Sequence, residues 1–351
     1  MAPSWWHPEE IARKRPYLET RRAVHSAVRA YFQAEGFTVV ETPALQASPG
    51  LERHIRPLAT PLQNRRGEAA PRYLHTSPEF AMKKLLAAGL PKIVQLCKVW
   101  RDGEEGPLHQ PEFTMLEWYR ANADYDALIE DCARILAAAG KAAHRAQDSD
   151  GLLRWQGRTC DPAKAPKVLT VQNAFRDFAG IDLLATISDP AALAPDPAPL
   201  REKAAATGIR AGADDTWEDI FFHIMLERVE PQLGMGVATV LCEYPANLAA
   251  LARRKPADPR VAERFELYAC GVELANAYAE LTDPAEQRAR FLHDQALFES
   301  LYGKAPPVDD DLLAALGRMP PASGIALGFD RLVMLAANAR HITDVLWAPV
   351  A

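Results

Sequence analysis

The sequence predicts an α+β fold, a mostly antiparallel sheet flanked by helices, because strand-like runs dominate the middle of the chain and helical runs flank them. Its 351 residues, 48% hydrophobic and 25% charged, have the composition of a globular protein with one large domain or two smaller ones.

The elements follow in order. From Glu19 to Glu35, Ala23, Ala27 and Tyr31 with Val24, Val28 and Phe32 recur at spacings of three and four, an amphipathic helix ended by Gly36. Phe37 to Pro43 reads as a strand stopped by its proline. Lys92 to Arg101 and His109 to Tyr119 read as two strands joined by a polar loop, and helical signal resumes from Tyr125 to Ala143. Residues 145–215 are rich in Ala, Pro and Asp and read as an insertion of small helices and turns, a surface excursion. Thr216 with Asp219 resembles a capping box opening a helix from Trp217 to Glu230. Strand signal returns from Val237 to Tyr244 and in a hairpin over 264–281.

Composition narrows the setting. No apolar run approaches a membrane span, and MAPSWWHPEE at the start lacks the basic flank and apolar stretch of a secretory signal. Five scattered cysteines without CxxC spacing point to a reduced, cytoplasmic protein with no disulfide framework or structural zinc. A net charge of -6 disfavours nucleic acid as the main partner. Arg13, Lys14, Arg15, Arg21 and Arg22 form a local basic cluster, read as a solvated helix face.

Two segments carry chemistry. In HQPEFTMLEWY, strand alternation puts Phe113, Met115, Glu117 and Tyr119 on one face and Glu112, Thr114, Leu116 and Trp118 on the other. The first face offers an aromatic, a carboxylate and a phenol, suited to stacking a base at one end and holding an amine at the other. In the hairpin, a Cys270-Gly271 turn pairs Ala269 with Val272, Tyr268 with Glu273 and Glu266 with Ala275. Glu266 and Glu273 then lie diagonally on one face, either as two solvated acids or with a hard cation such as Mg²⁺ between them. Asn276, Tyr278 and Glu280 fall on the opposite parity, so one shared pocket requires a bulge near Ala275.

Arg101, its loop and HQPEFTMLEWY resemble the second signature motif of class II aminoacyl-tRNA synthetases of the lysyl branch. Gly36 to Pro43 resembles the first motif, Gly324 to Arg331 the third, and Arg264 to Leu281 the lysyl-type hairpin. The resemblance implies ATP-dependent activation of lysine or (R)-β-lysine, with Mg²⁺, in a homodimer built through the first motif. It implies that Arg101 contacts the α-phosphate and substrate carboxylate, that Asp102, Glu104, His109, Gln110, Glu273 and Leu274 also meet ATP, and that Phe113 and Arg331 sandwich adenine. Gly328 would let backbone approach the nucleotide. Glu266 and Glu273 would hold the metal, Ser77 and Glu79 would receive one amino group, and Glu117, Tyr119, Asn276, Tyr278 and Glu280 the rest of the amino acid.

The chain departs from that pattern at four points. Gly103 stands where an acid is usual, and Pro107 and Leu108 where a second loop arginine is usual. Ala326 replaces the glycine of lysyl-tRNA synthetases, as in their shorter paralogues that modify elongation factor P. Only about 35 residues precede Gly36, too few for an anticodon-binding OB-fold, so tRNA is an unlikely acceptor. The expected acceptor is a lysine ε-amine of elongation factor P. A truncated lysyl-tRNA synthetase-like enzyme and a non-catalytic paralogue that binds an amino acid remain the alternatives.

Overall fold

Eight strands share a single sheet, whose central members alternate side chains between two packed faces. The computed structural model describes residues 4–350, so the first three residues of the N-terminal reading lie outside the described residues. The strands are β1 (Thr38–Val39), β2 (Lys92–Trp100), β3 (Glu112–Ala121), β4 (Lys167–Thr170), β5 (Thr239–Cys242), β6 (Arg264–Ala269), β7 (Val272–Ala279) and β8 (Ala322–Gly328). Their spatial order is β1, β2, β3, β8, β7, β6, β5, β4. Only the outer pairs β1/β2 and β5/β4 are parallel, so the sheet is mostly antiparallel as expected.

The predicted first helix is longer than its periodic stretch. Helix α1 spans Pro8–Ala34, with Pro8 in its first turn and Glu9 and Glu10 at its electropositive end. Val24, Val28 and Phe32 are buried, and Gly36 follows its end at φ 72°. The Phe32 ring meets the edge of Trp118 at 5.3 Å, so the Trp118 face of β3 is the core face. Helix α3 (Asp126–Gln147) packs beside α1 over the same core. On the opposite face, helix α2 (Glu79–Ala87) covers Ile93 and Tyr119. The cavity described below opens on that side.

The structure corrects two sequence readings. The basic cluster on α1 is not wholly a solvated face: Lys14 and Arg21 are buried, Lys14 donating to the Leu346 carbonyl and Arg21 bonding Asp330 at 2.5 Å. Partners far away in the chain, invisible in a local charge count, draw them inward. The 145–215 segment is also more than small helices and turns. It supplies β4 to the sheet edge and a hairpin of Leu153–Trp155 with Arg158–Cys160. These strands are too short for alternation to reveal; pairing to distant backbone orders them.

Thr216 accepts from the Asp219 amide and Asp219 from the Thr216 amide, the predicted capping box. Helix α4 (Trp217–Ile224) stops short of Glu230, continuing as a π-helical turn over Met225–Val229. Its Trp217 and Phe221 stack at 5.6 Å, and Phe221 stacks on Phe175 at 4.9 Å, forming a second core beside β5. Among the described residues no helix is long and apolar enough to cross a membrane, and all five cysteines are free. Trp217, 1% exposed, anchors that second core, so Trp217→Ala is expected to cost about 3–5 kcal/mol, read as a lowered midpoint in chemical denaturation.

Candidate active site

The hairpin turns on Cys270 (φ 57°) and Gly271 (φ 74°), a two-residue turn with both central residues left-handed. Ala269 faces Val272 and Tyr268 faces Glu273, as the sequence requires. The ladder then shifts: Leu267 faces Ala275 and Glu266 faces Asn276, leaving Leu274 without an opposite residue. The expected Glu266–Ala275 pairing is therefore displaced by one residue. The bulge falls one residue before Ala275, and it turns Asn276 and Tyr278 to the face that carries Glu266, Tyr268 and Glu273.

That face forms one wall of a cavity of about 430 Å³, and β3, β8 and the loop before α2 complete it. At one end, Glu117 is fully buried, accepting from Ser77 Oγ at 2.6 Å and from Tyr119 Oη at 3.0 Å. Both donors are neutral, so burial pushes the Glu117 carboxyl up to about 8. Across the ladder, Ala326 lies opposite Glu117 and Gly324 opposite Tyr119. A Cβ at Gly324 would stand 2.2 Å from the Tyr119 ring and 2.4 Å from Glu280 Oε1, so only glycine leaves this end open.

Glu280 occupies a different position from the one expected. It does not line the cavity but sits behind the Gly324–Tyr119 wall, where its Oε2 meets Lys83 Nζ at 2.6 Å. The same Nζ lies 2.6 Å from Glu79 Oε1, and Glu79 does line the cavity. Burial, weighed against the Lys83 charge, leaves Glu280 raised to about 7.

At the other end, the Arg101 guanidinium lies 5.1 Å from the Phe113 ring centre and 3.5 Å from Glu104. Arg331 donates to the Glu273 carbonyl at 2.9 Å and approaches His109 Nε2 at 2.6 Å. Burial and the adjacent Arg331 lower the His109 pKa, which keeps the ring neutral and able to accept. Gln110, Leu274 and Gly328 also line this end. Asp102 does not: it faces outward, 3.4 Å from Arg56, because its backbone amide is tied to the Arg56 carbonyl at 2.8 Å.

The diagonal acids are both at the wall, yet neither waits for a metal to offset its charge. Glu266 accepts from Tyr244 at 2.5 Å, Tyr268 at 2.6 Å and Arg264 at 2.6 Å. Glu273 lies 3.8 Å from Arg331, and burial raises its pKa to about 7.

The family described as tRNA synthetases class II (D, K and N) matches residues 11–350. The chain belongs to this family. It is similar to the elongation factor P--(R)-beta-lysine ligase of Erwinia tasmaniensis, 38% identical over 98% of this chain and 96% of that protein. It is likewise 37% identical to the protein of that name from Sodalis glossinidius over 98% of this chain and 96% of the relative. The Klebsiella pneumoniae subsp. pneumoniae protein of that name is 39% identical over 94% of both chains.

Four residues of this class II site escaped the sequence reading. Lys83 follows Glu79 by four on a helix, a spacing that signals an ion pair. Arg264 precedes Glu266 by two and so shares its strand face. Arg21 and Asp330 had no local signal. Asp330 accepts from Arg21 at 2.5 Å and from the Thr114 amide at 2.7 Å, and Arg21 also donates to Thr114 Oγ1 at 3.0 Å.

A carboxyl held near 8 in the fold against 4.5 unfolded binds its proton more tightly when folded. The stability this confers is complete below pH 4.5 and disappears as pH rises through 8. Glu117→Gln is therefore expected to flatten the fall in melting temperature over that interval; an unchanged slope would mean that Glu117 is ionised throughout.

Proposed function

We propose that this protein condenses lysine or (R)-β-lysine with ATP to an aminoacyl-adenylate and transfers the acyl group to a lysine ε-amine of elongation factor P. The observation that carries the reading is Glu117, a buried acid with neutral donors only, in the same cavity as Arg101 and Phe113. An acid so placed is costly until a cation pairs with it. A terminal ammonium does so, and the rest of the cavity then meets a nucleotide.

In the first step a substrate carboxylate oxygen forms a bond to the α-phosphorus of ATP as the bond to pyrophosphate breaks. Arg101 holds the carboxylate and α-phosphate together and offsets the charge developing between them. Adenine takes the face of Phe113 that Arg101 now covers, with Arg331 on its other side; Glu104, His109, Gln110, Leu274 and the Gly328 backbone frame the nucleotide. Ser77, Glu117 and Tyr119 receive the terminal amine, with the Glu280 charge behind them, Glu79 receives the second amine, and Asn276 and Tyr278 border the chain between them. In the second step the acceptor amine, having lost its proton, attacks the adenylate carbonyl and AMP leaves.

Glu266 and Glu273 offer hard oxygen donors on the phosphate side, a set that suits Mg²⁺, which takes one or two carboxylates and completes its shell with phosphate and water. Bound there, the ion would neutralise the outer phosphates. In this reading residues 1–351 act as one catalytic domain carrying the 145–215 insertion, paired as a homodimer through α1 and β1, in the cytoplasm, with protein and not tRNA as acceptor.

The test is incubation of the protein with ATP, each lysine isomer and purified elongation factor P, followed by intact-protein mass. A mass gain of one lysyl unit is expected. Pyrophosphate exchange without a mass gain would favour another acceptor, and no exchange with either isomer would leave an amino-acid-binding paralogue. Ala326 stands opposite Glu117, so Ala326→Gly is expected to shift preference toward α-lysine; an unchanged ratio of kcat/KM for the two isomers would remove Ala326 as the selectivity determinant.

A further inference from the structure

Lys83 stands one helical turn after Glu79 on α2 and is 1% exposed. Its ammonium is 2.6 Å from one oxygen of Glu79 and 2.6 Å from one oxygen of Glu280. Burial opposes its charge, but Glu280 and Glu79 outweigh that and raise its pKa. Each acid is thus tethered through one oxygen. Glu280 Oε1 has no partner and lies 2.4 Å from where Gly324 would carry a Cβ, directly behind the cavity wall. Glu79 itself lines the cavity, and Glu117 is bonded only to neutral hydroxyls.

Once a cationic ligand ionises Glu117, three carboxylates against one lysine leave two negative charges at this end. Arg101 answers the carboxylate of an amino acid, and Glu52 stands at the exposed rim, where water screens it. We infer that Lys83 is a positioning residue for the amino-acid substrate: it holds Glu79 at the cavity with one oxygen left for a ligand, holds Glu280 behind the wall, and sets the charge deficit of this end at two. A diamino acid brings two ammonium groups and matches that deficit. A monoamino acid of the same length leaves a buried carboxylate unpaired and is rejected for that reason. The inference rests on the lysine-type reading above and adds a residue that never touches the substrate.

Pyrophosphate exchange by the full chain tests it, with lysine-type substrates and norleucine, which keeps the length of lysine but lacks its terminal amine. Lys83→Met is expected to raise KM for the lysine-type substrate by about a hundredfold while KM for ATP stays within about twofold. Lys83→Arg, which keeps the charge, is expected to recover part of that loss. If Lys83 were merely structural, both variants would melt earlier but keep their KM values, and that result overturns the inference. Should Lys83→Met not fold, the double variant Lys83→Met/Glu280→Gln removes the buried pair together and gives the same readout. It is expected to lose preference for lysine over norleucine; an unaltered preference overturns the inference. A wild-type protein without exchange for any diamino acid would fail the proposed function instead.

Discussion

One unpaired residue, Leu274, determines what the hairpin can hold. A regular ladder would send Glu273 to one side of the sheet and Asn276 and Tyr278 to the other, because strand side chains alternate strictly. With Leu274 bulged out, β7 changes phase once and all of them face the cavity with Glu266. The two-residue turn at Cys270-Gly271 pins the register on one side of the bulge, and pairing with β8 pins it on the other. Glu266 and Glu273 are thereby held with Asn276 and Tyr278 on one face of the hairpin.

Buried charge is the second constraint, and it is handled differently along the cavity. Glu266 is surrounded by two phenols and Arg264, so its ionised form is satisfied without a ligand. Glu79 and Glu280 share Lys83. Glu117 has hydroxyl donors and no adjacent cation, so burial pushes its carboxyl up to about 8. The distribution makes one end of the cavity prepared for a cation and the other already balanced.

The end of the cavity with Phe113 and Arg331 depends on a buried ion pair that reaches helix α1. Asp330 joins the strand carrying Phe113 to the helix that begins at Phe329 and carries Arg331, and Arg21 joins both to α1. Arg21 also lies 5.1 Å from the Phe329 ring centre. Phe113 and Arg331 are each one residue from this buried cluster, so their separation follows from it. Helix α1 is consequently tied to the geometry of the site and to the C-terminal segment, through Lys14 and the Leu346 carbonyl.

Local pattern alone determined the α+β class, the face shared by Phe113, Glu117 and Tyr119, the hairpin turn and the capping box; the bulge beside Ala275 followed only once the family resemblance put both parities in one pocket. Each of the former is written in two-residue or helical periodicity within about ten residues of chain, where backbone geometry leaves few choices. Tertiary structure decided that Asp102 turns to Arg56, that Glu280 stands behind the wall paired with Lys83, that Lys14 and Arg21 are buried, and that β4 joins the sheet. Those outcomes depend on which distant group arrives beside a charge or an open strand edge. A charge has no periodicity that names its partner; only the folded chain brings the two within range of each other's field.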